Sequence, residues 1–136
     1  MSRDNVELVR RGYELYARGE LEQIAELFSP DADLAGAGGL GIAGTAAGTR
    51  FGPDGFLGSA HEATEAFDDY RVEPEEFVDA GDSVVVVVSI SGRGRESGLE
   101  LEMHVAHLWT VRDGKVVRGE VYRTKEEALA AAGAGG

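Results

Sequence analysis

The chain has 136 residues with 25 acidic and 13 basic side chains, a net charge of −12; such a surface repels phosphate backbones and anionic lipids, so no nucleic-acid partner and no membrane partner is expected. Hydrophobic residues at 43% exclude a disordered chain and suffice for one core, so residues 1–136 are expected to form a single domain. There is no cysteine, which excludes disulfide and thiolate chemistry; the longest apolar run, Val84–Val88, is too short to cross a bilayer and Met1–Asp4 opens no signal region, so a cytoplasmic protein is expected.

Asp4-Asn-Val-Glu7 reads as a capping box with Asp4 as the N-cap. Val6, Val9, Tyr13 and Tyr16 follow at helical spacing, which predicts an amphipathic helix to about Ala17, stopped by Arg18-Gly19. Glu20–Phe28 reads as a second, shorter helix with Leu21, Ile24 and Leu27/Phe28 on one side, ended by Ser29-Pro30-Asp31. Asp33 to Arg50 is glycine-rich, and nine of the twenty glycines lie between Gly36 and Gly58. That composition reads as a loop or a weak strand. It lacks the Gly-x-x-x-x-Gly-Lys-Ser/Thr spacing of a phosphate cradle. Pro53 opens a predicted third helix to about Phe67, with Phe56, Ala60, Ala63 and Phe67 as its buried stripe.

Four strands follow. Arg71–Asp79 leads through an Ala80-Gly81-Asp82 turn to Ser83–Ser91, whose β-branched run suits a buried pleated surface. Leu99–Arg112 has period two: Leu101, Met103, Val105, His107, Trp109 and Val111 alternate with Glu100, Glu102, His104, Ala106, Leu108 and Thr110. Asp113-Gly114 is a tight-turn signal before Lys115–Arg123. Thr124-Lys-Glu-Glu127 is a second capping box, opening a short C-terminal helix. This order predicts an α+β fold with helices packed on one face of a curved sheet.

The segments Tyr16–Glu22, Leu27–Ala32, Phe67–Phe77 and Ala106–Val116 resemble the SnoaL-like polyketide cyclases of the nuclear transport factor 2-like, or ketosteroid isomerase-like, superfamily. The resemblance runs from about Val6 to Ala132. It implies a cone-shaped, curved, mostly antiparallel sheet wrapped around three N-terminal helices, with a short C-terminal helix. It also implies one enclosed apolar pocket and a homodimer. Activity stays open, because the superfamily holds isomerases, cyclases, dehydratases, epoxide hydrolases and binding modules. Gly12 stands where a ketosteroid isomerase has its tyrosine oxyanion donor, Gly36 where it has its general-base aspartate, and Ala106 where it has its second oxyanion donor. Ser59 and Ala60 match an aromatic wall. Val121 replaces the catalytic aspartate of limonene epoxide hydrolases, and Gly119 replaces a bulky residue. With Phe56 and Leu108, these positions are expected to line an enlarged ligand pocket of a few hundred Å³.

Among the remaining residues, the three histidines are the side chains that titrate near neutrality. The resemblance turns His104, Ala106 and Leu108 towards the pocket, so His104 is the expected general acid or base, oriented by Glu102. Tyr13 and Tyr16 on the first helix, and His61 on the third, are the expected helpers. The row Met103, Val105, His107, Trp109 and Val111 is then expected to face away from the helices and form the dimer surface. No metal site is expected, because the histidines do not converge. The resulting expectation is a cofactor-free isomerase, lyase, cyclase or hydrolase acting on a small apolar or polycyclic organic molecule. The alternative is a non-catalytic, diverged or engineered protein that binds a hydrophobic ligand.

Overall fold

In a computed structural model of the chain, which describes residues 2–36 and 65–134, two helices precede a five-stranded sheet. Helix α1 spans Ser2–Ala17 and α2 spans Leu21–Ala25. The strands are β1 (Phe28–Gly36), β2 (Phe67–Ala80), β3 (Ser83–Gly94), β4 (Glu100–Arg112) and β5 (Lys115–Tyr122). Helix α3 (Lys125–Ala134) closes the described chain. The sheet order is β1-β5-β4-β3-β2. Neighbouring strands are antiparallel except β1, which runs parallel to β5. The α+β architecture is as expected. The expected third helix from Pro53, with Phe56, Ser59, Ala60 and His61, lies outside the described residues up to Thr64. Phe67, expected to end that helix, opens β2 instead.

Local chemistry accounts for the hairpins. Asp113 and Gly114 have φ of 53° and 76°, the pair of left-handed residues that a two-residue hairpin with native strand twist requires. Gly81, at φ 82°, turns the chain between β2 and β3. The Glu127 backbone N–H donates to Thr124 Oγ1 at 3.1 Å, so the expected cap of α3 forms. Asp4 is not an N-cap, because α1 already begins at Ser2 and Asp4 sits in its first turn. The second helix stops at Ala25, and Phe28 begins β1. Ser29-Pro30-Asp31 therefore lies in a strand. Pro30 is tolerated there because β1 is an edge strand with irregular register against β5.

The sheet is buried on both faces. On one, Val84, Val86, Val88, Ile90, Val105, Trp109 and Val111 pack with Val9 and Leu15 of α1 and Ile24 of α2. On the other, Val85, Ala106 and Leu108 pack with Ala128 of α3. This corrects the expected orientation of β4. The row containing Val105, His107, Trp109 and Val111 is the interior face beneath α1, not an outer dimer surface. Val105, Trp109 and Val111 are each no more than 8% exposed. No helix among the described residues is long and apolar enough to cross a membrane.

Candidate functional site

Helix α1 crosses the interior face with Leu8, Val9, Gly12, Tyr13 and Tyr16 turned to the sheet, the i, i+4, i+8 stripe of an amphipathic helix. Between it and the strands lies a cavity of about 50 Å³. That is well below the few hundred Å³ expected from the small residues, and below the range usual for drug-sized ligands. Its apolar wall includes Leu27, Phe28, Val72 and Val116; its polar groups come from Tyr13, Tyr16, His107 and Trp109.

Three of those groups form a hydrogen-bonded chain. Trp109 Nε1–H donates to Tyr13 Oη at 2.8 Å, and Tyr13 Oη lies 2.6 Å from His107 Nδ1. Strand β4 sets His107 and Trp109 two residues apart on one face. Helix α1 lowers Tyr13 between them. Phe77 of β2 meets the Tyr13 ring edge-on at 5.8 Å, and the Arg10 guanidinium lies over Phe77 at 4.4 Å. Desolvation pushes the Tyr13 phenol far above its usual pKa, against the smaller opposing effect of the Trp109 hydrogen bond. Tyr13 is thus a neutral phenol. With Trp109 as obligate donor, the phenol proton points at Nδ1 when His107 carries its ring proton on Nε2. When Nδ1 is protonated, the imidazole donates instead, and the phenol O–H is free to turn to another acceptor. With Nε2 also protonated the second arrangement holds one proton more than the first, and through that difference the pair can take up a proton and return it.

Tyr13, Tyr16 and Gly12 line the cavity. A methyl on Gly12 would lie 3.6 Å from Leu27 Cδ1, an ordinary contact. Gly119 and Val121 sit opposite Trp109 and His107 in the ladder, on the interior face but not among the cavity-lining residues. Gly36 ends β1, opposite Glu120. His104 is misplaced: its side chain is 59% exposed on the far face, with Nδ1 3.2 Å from Glu75 Oε1. Ala106 and Leu108 are buried under α3, away from the cavity. A strand alignment displaced by one residue exchanges the two faces. The residue it passed over is His107, 1% exposed. The signal that identifies it is its membership of the more apolar of the two β4 rows. Among the described residues, no group of three or more His, Asp or Glu side chains is placed to hold a metal ion.

A family model described as a SnoaL-like domain matches residues 9–119. No curated protein matches the sequence. Several solved structures share the fold. An NTF2-like protein from Burkholderia thailandensis is 27% identical, with 93% of this chain and 95% of that one covered and a TM-score of 0.76. TerC, co-crystallised with polyporic acid, is 26% identical over 93% of this chain and 98% of its own, with a TM-score of 0.70. IdmH, a proposed polyketide cyclase from Streptomyces antibioticus, is 24% identical over 94% and 96%, with a TM-score of 0.68.

Proposed function

The chain belongs to the SnoaL-like domain family, and we propose that it is a cofactor-free acid–base enzyme of the cyclase, isomerase or lyase kind, acting on a small, largely apolar carbonyl compound. The observation that carries this reading is the Trp109–Tyr13–His107 chain at the wall of an apolar cavity. A carbonyl oxygen beside Tyr13 would receive the phenol O–H, which stabilises charge developing on that oxygen. His107, protonated on Nδ1, would replace through Tyr13 a proton passed to that oxygen, while water takes the proton released from the adjacent carbon. The apolar wall strengthens both interactions by excluding water. The binding of polyporic acid to TerC supports an oxygenated, ring-containing ligand. We extend the reading to a homodimer, as the family resemblance implies; sedimentation tests it.

Proton transfer can be read without the native substrate. Cyclic ketones incubated with the protein in D2O should exchange their α-hydrogens, as followed by NMR. His107→Gln and Tyr13→Phe should each slow the exchange by about 100-fold or more. Exchange that stays at the wild-type rate in both variants would refute the assignment. A second reading, ligand binding without chemistry, is favoured by one feature: no carboxylate lines the described cavity. It predicts ketone binding with no exchange by the wild-type protein.

A further inference from the structure

The apolar stripe of α1 is broken at its middle. Leu8, Gly12 and Tyr16 stand four residues apart and all line the cavity, so on this row the helix presents a gap between two large side chains. Glycine in a helix interior is less favourable than every other residue except proline, and the local reasons for it are missing here. Gly12 lies inside the regular run of α1; the described glycines with a left-handed backbone are Gly19, Gly81, Gly98 and Gly114. Nor does a close approach call for it. Among the described residues, a Cβ on Gly12 would meet Leu27 Cδ1 at 3.6 Å, an ordinary contact. The position has room for a side chain and does not carry one.

The gap lies on the outer side of the cavity. Gly12 and Leu27 are half-buried, whereas Val72, His107 and Trp109 on the strands are no more than 8% exposed. The helical side is therefore the one nearest solvent, and Gly12 stands at the mouth. A methyl carbon keeps other carbons about 3.5–4.0 Å away, so an alanine here would take up much of a space of about 50 Å³. That volume also limits what enters. A cavity of about 150 Å³ holds benzene, so one of this size has room for about two non-hydrogen atoms, the tip of a ligand and not the whole.

We propose that Gly12 is a specificity-determining residue, which withholds a side chain at the mouth so that the cavity admits one narrow end of the ligand, a methyl group beside the carbonyl. The substrate class is then a methyl ketone whose bulkier part stays outside the cavity, and the methyl is the carbon that would release a proton. This rests on the functional reading above for the cavity as ligand site, but its test needs no proton transfer.

The test is binding alone, with tert-butyl methyl ketone and tert-butyl isopropyl ketone as probes, measured by NMR titration of wild type and Gly12→Ala. A tert-butyl group is too bulky for a space of about two atoms, so the other end must enter. Wild type should bind the methyl ketone about tenfold more tightly, the scale on which apolar pockets resolve small alkyl groups. Burial of apolar area by itself favours the opposite order. Gly12→Ala should lose about tenfold in affinity for the methyl ketone and with it the preference. Its Tm without ligand should rise by about 3–5 °C, because alanine is the better helix former and fills the space. Wild type that binds both ketones alike, prefers the isopropyl compound or binds neither overturns the inference. So does a Gly12→Ala variant that keeps the preference, or one that melts no higher, since packing would then require the glycine. Failure of the hydrogen-exchange assay leaves this measurement unaffected, so the two readings fail separately.

Discussion

Four tyrosines give the molecule an alkaline signature that can be worked out residue by residue. Burial raises the phenols of Tyr13 and Tyr70 far above the usual value and pushes Tyr16 up to about 12. An unfolded chain ionises tyrosine near 10. Above that pH the unfolded state has released protons that the folded state still holds. Folding stability is therefore complete below about pH 10 and falls as pH rises through the folded values, by about 1.4 kcal/mol per pH unit for each such tyrosine. The phenolate absorbance at 295 nm that belongs to these three tyrosines, read against a Tyr122→Phe background, should stay low past pH 10.5 and then rise together with loss of the circular-dichroism signal, in one step. Independent, gradual ionisation near pH 10 with the fold intact would show that these hydroxyls are solvated.

Strand β4 shows which elements were legible in the sequence. The hairpin at Asp113-Gly114, the four strands from β2 to β5 and the Thr124 cap depend on local chemistry, and the structure has them close to the expected limits. The end of α2 was not legible, because Phe28 continues the helical spacing of Ile24 while its side chain is taken by Trp109, with ring centroids 6.1 Å apart, a partner 81 residues away. The orientation of β4 is legible in its alternation. Its apolar row reads as the interior face, but matching Ala106 to a family position turned that row outward. Periodicity could not correct this at the centre of the strand, where Val105 through Trp109 are all buried, one face under α1 and the other under α3. An enlarged side chain at Ala106 tests the point. Ala106→Leu should overpack the layer beneath α3 and cost about 1–3 kcal/mol in urea unfolding, with ketone affinity unchanged. Loss of ketone binding with stability intact would place Ala106 on the cavity side.

At the scale of the whole molecule, charge is the least balanced quantity. The net charge is −12 and the isoelectric point about 4.6, so at neutral pH the folded chain repels itself. The ion pairs of the described surface do little to offset this. Arg95–Asp68 at 3.0 Å and Lys125–Glu76 at 2.9 Å are both substantially exposed, and such pairs contribute about 0–1 kcal/mol each. Added salt weakens pairs and repulsion alike, but with 25 acidic against 13 basic groups repulsion dominates the sum. Raising NaCl shortens the screening length from about 30 Å at 0.01 M to about 10 Å at 0.1 M, which is within the span of a domain this size. The melting temperature should therefore rise with salt over that range, by about 3–5 °C if about 1 kcal/mol of repulsion is relieved. Association of two copies should respond in the same direction. With the apolar row of β4 turned inward, that row is not available to a dimer, and association would bring two charges of −12 together. Sedimentation across the same salt series should show the dimer fraction rising with ionic strength. A melting temperature that falls with salt would mean that the surface pairs outweigh the net charge, and a chain that stays at 14.4 kDa at every salt concentration would exclude the homodimer.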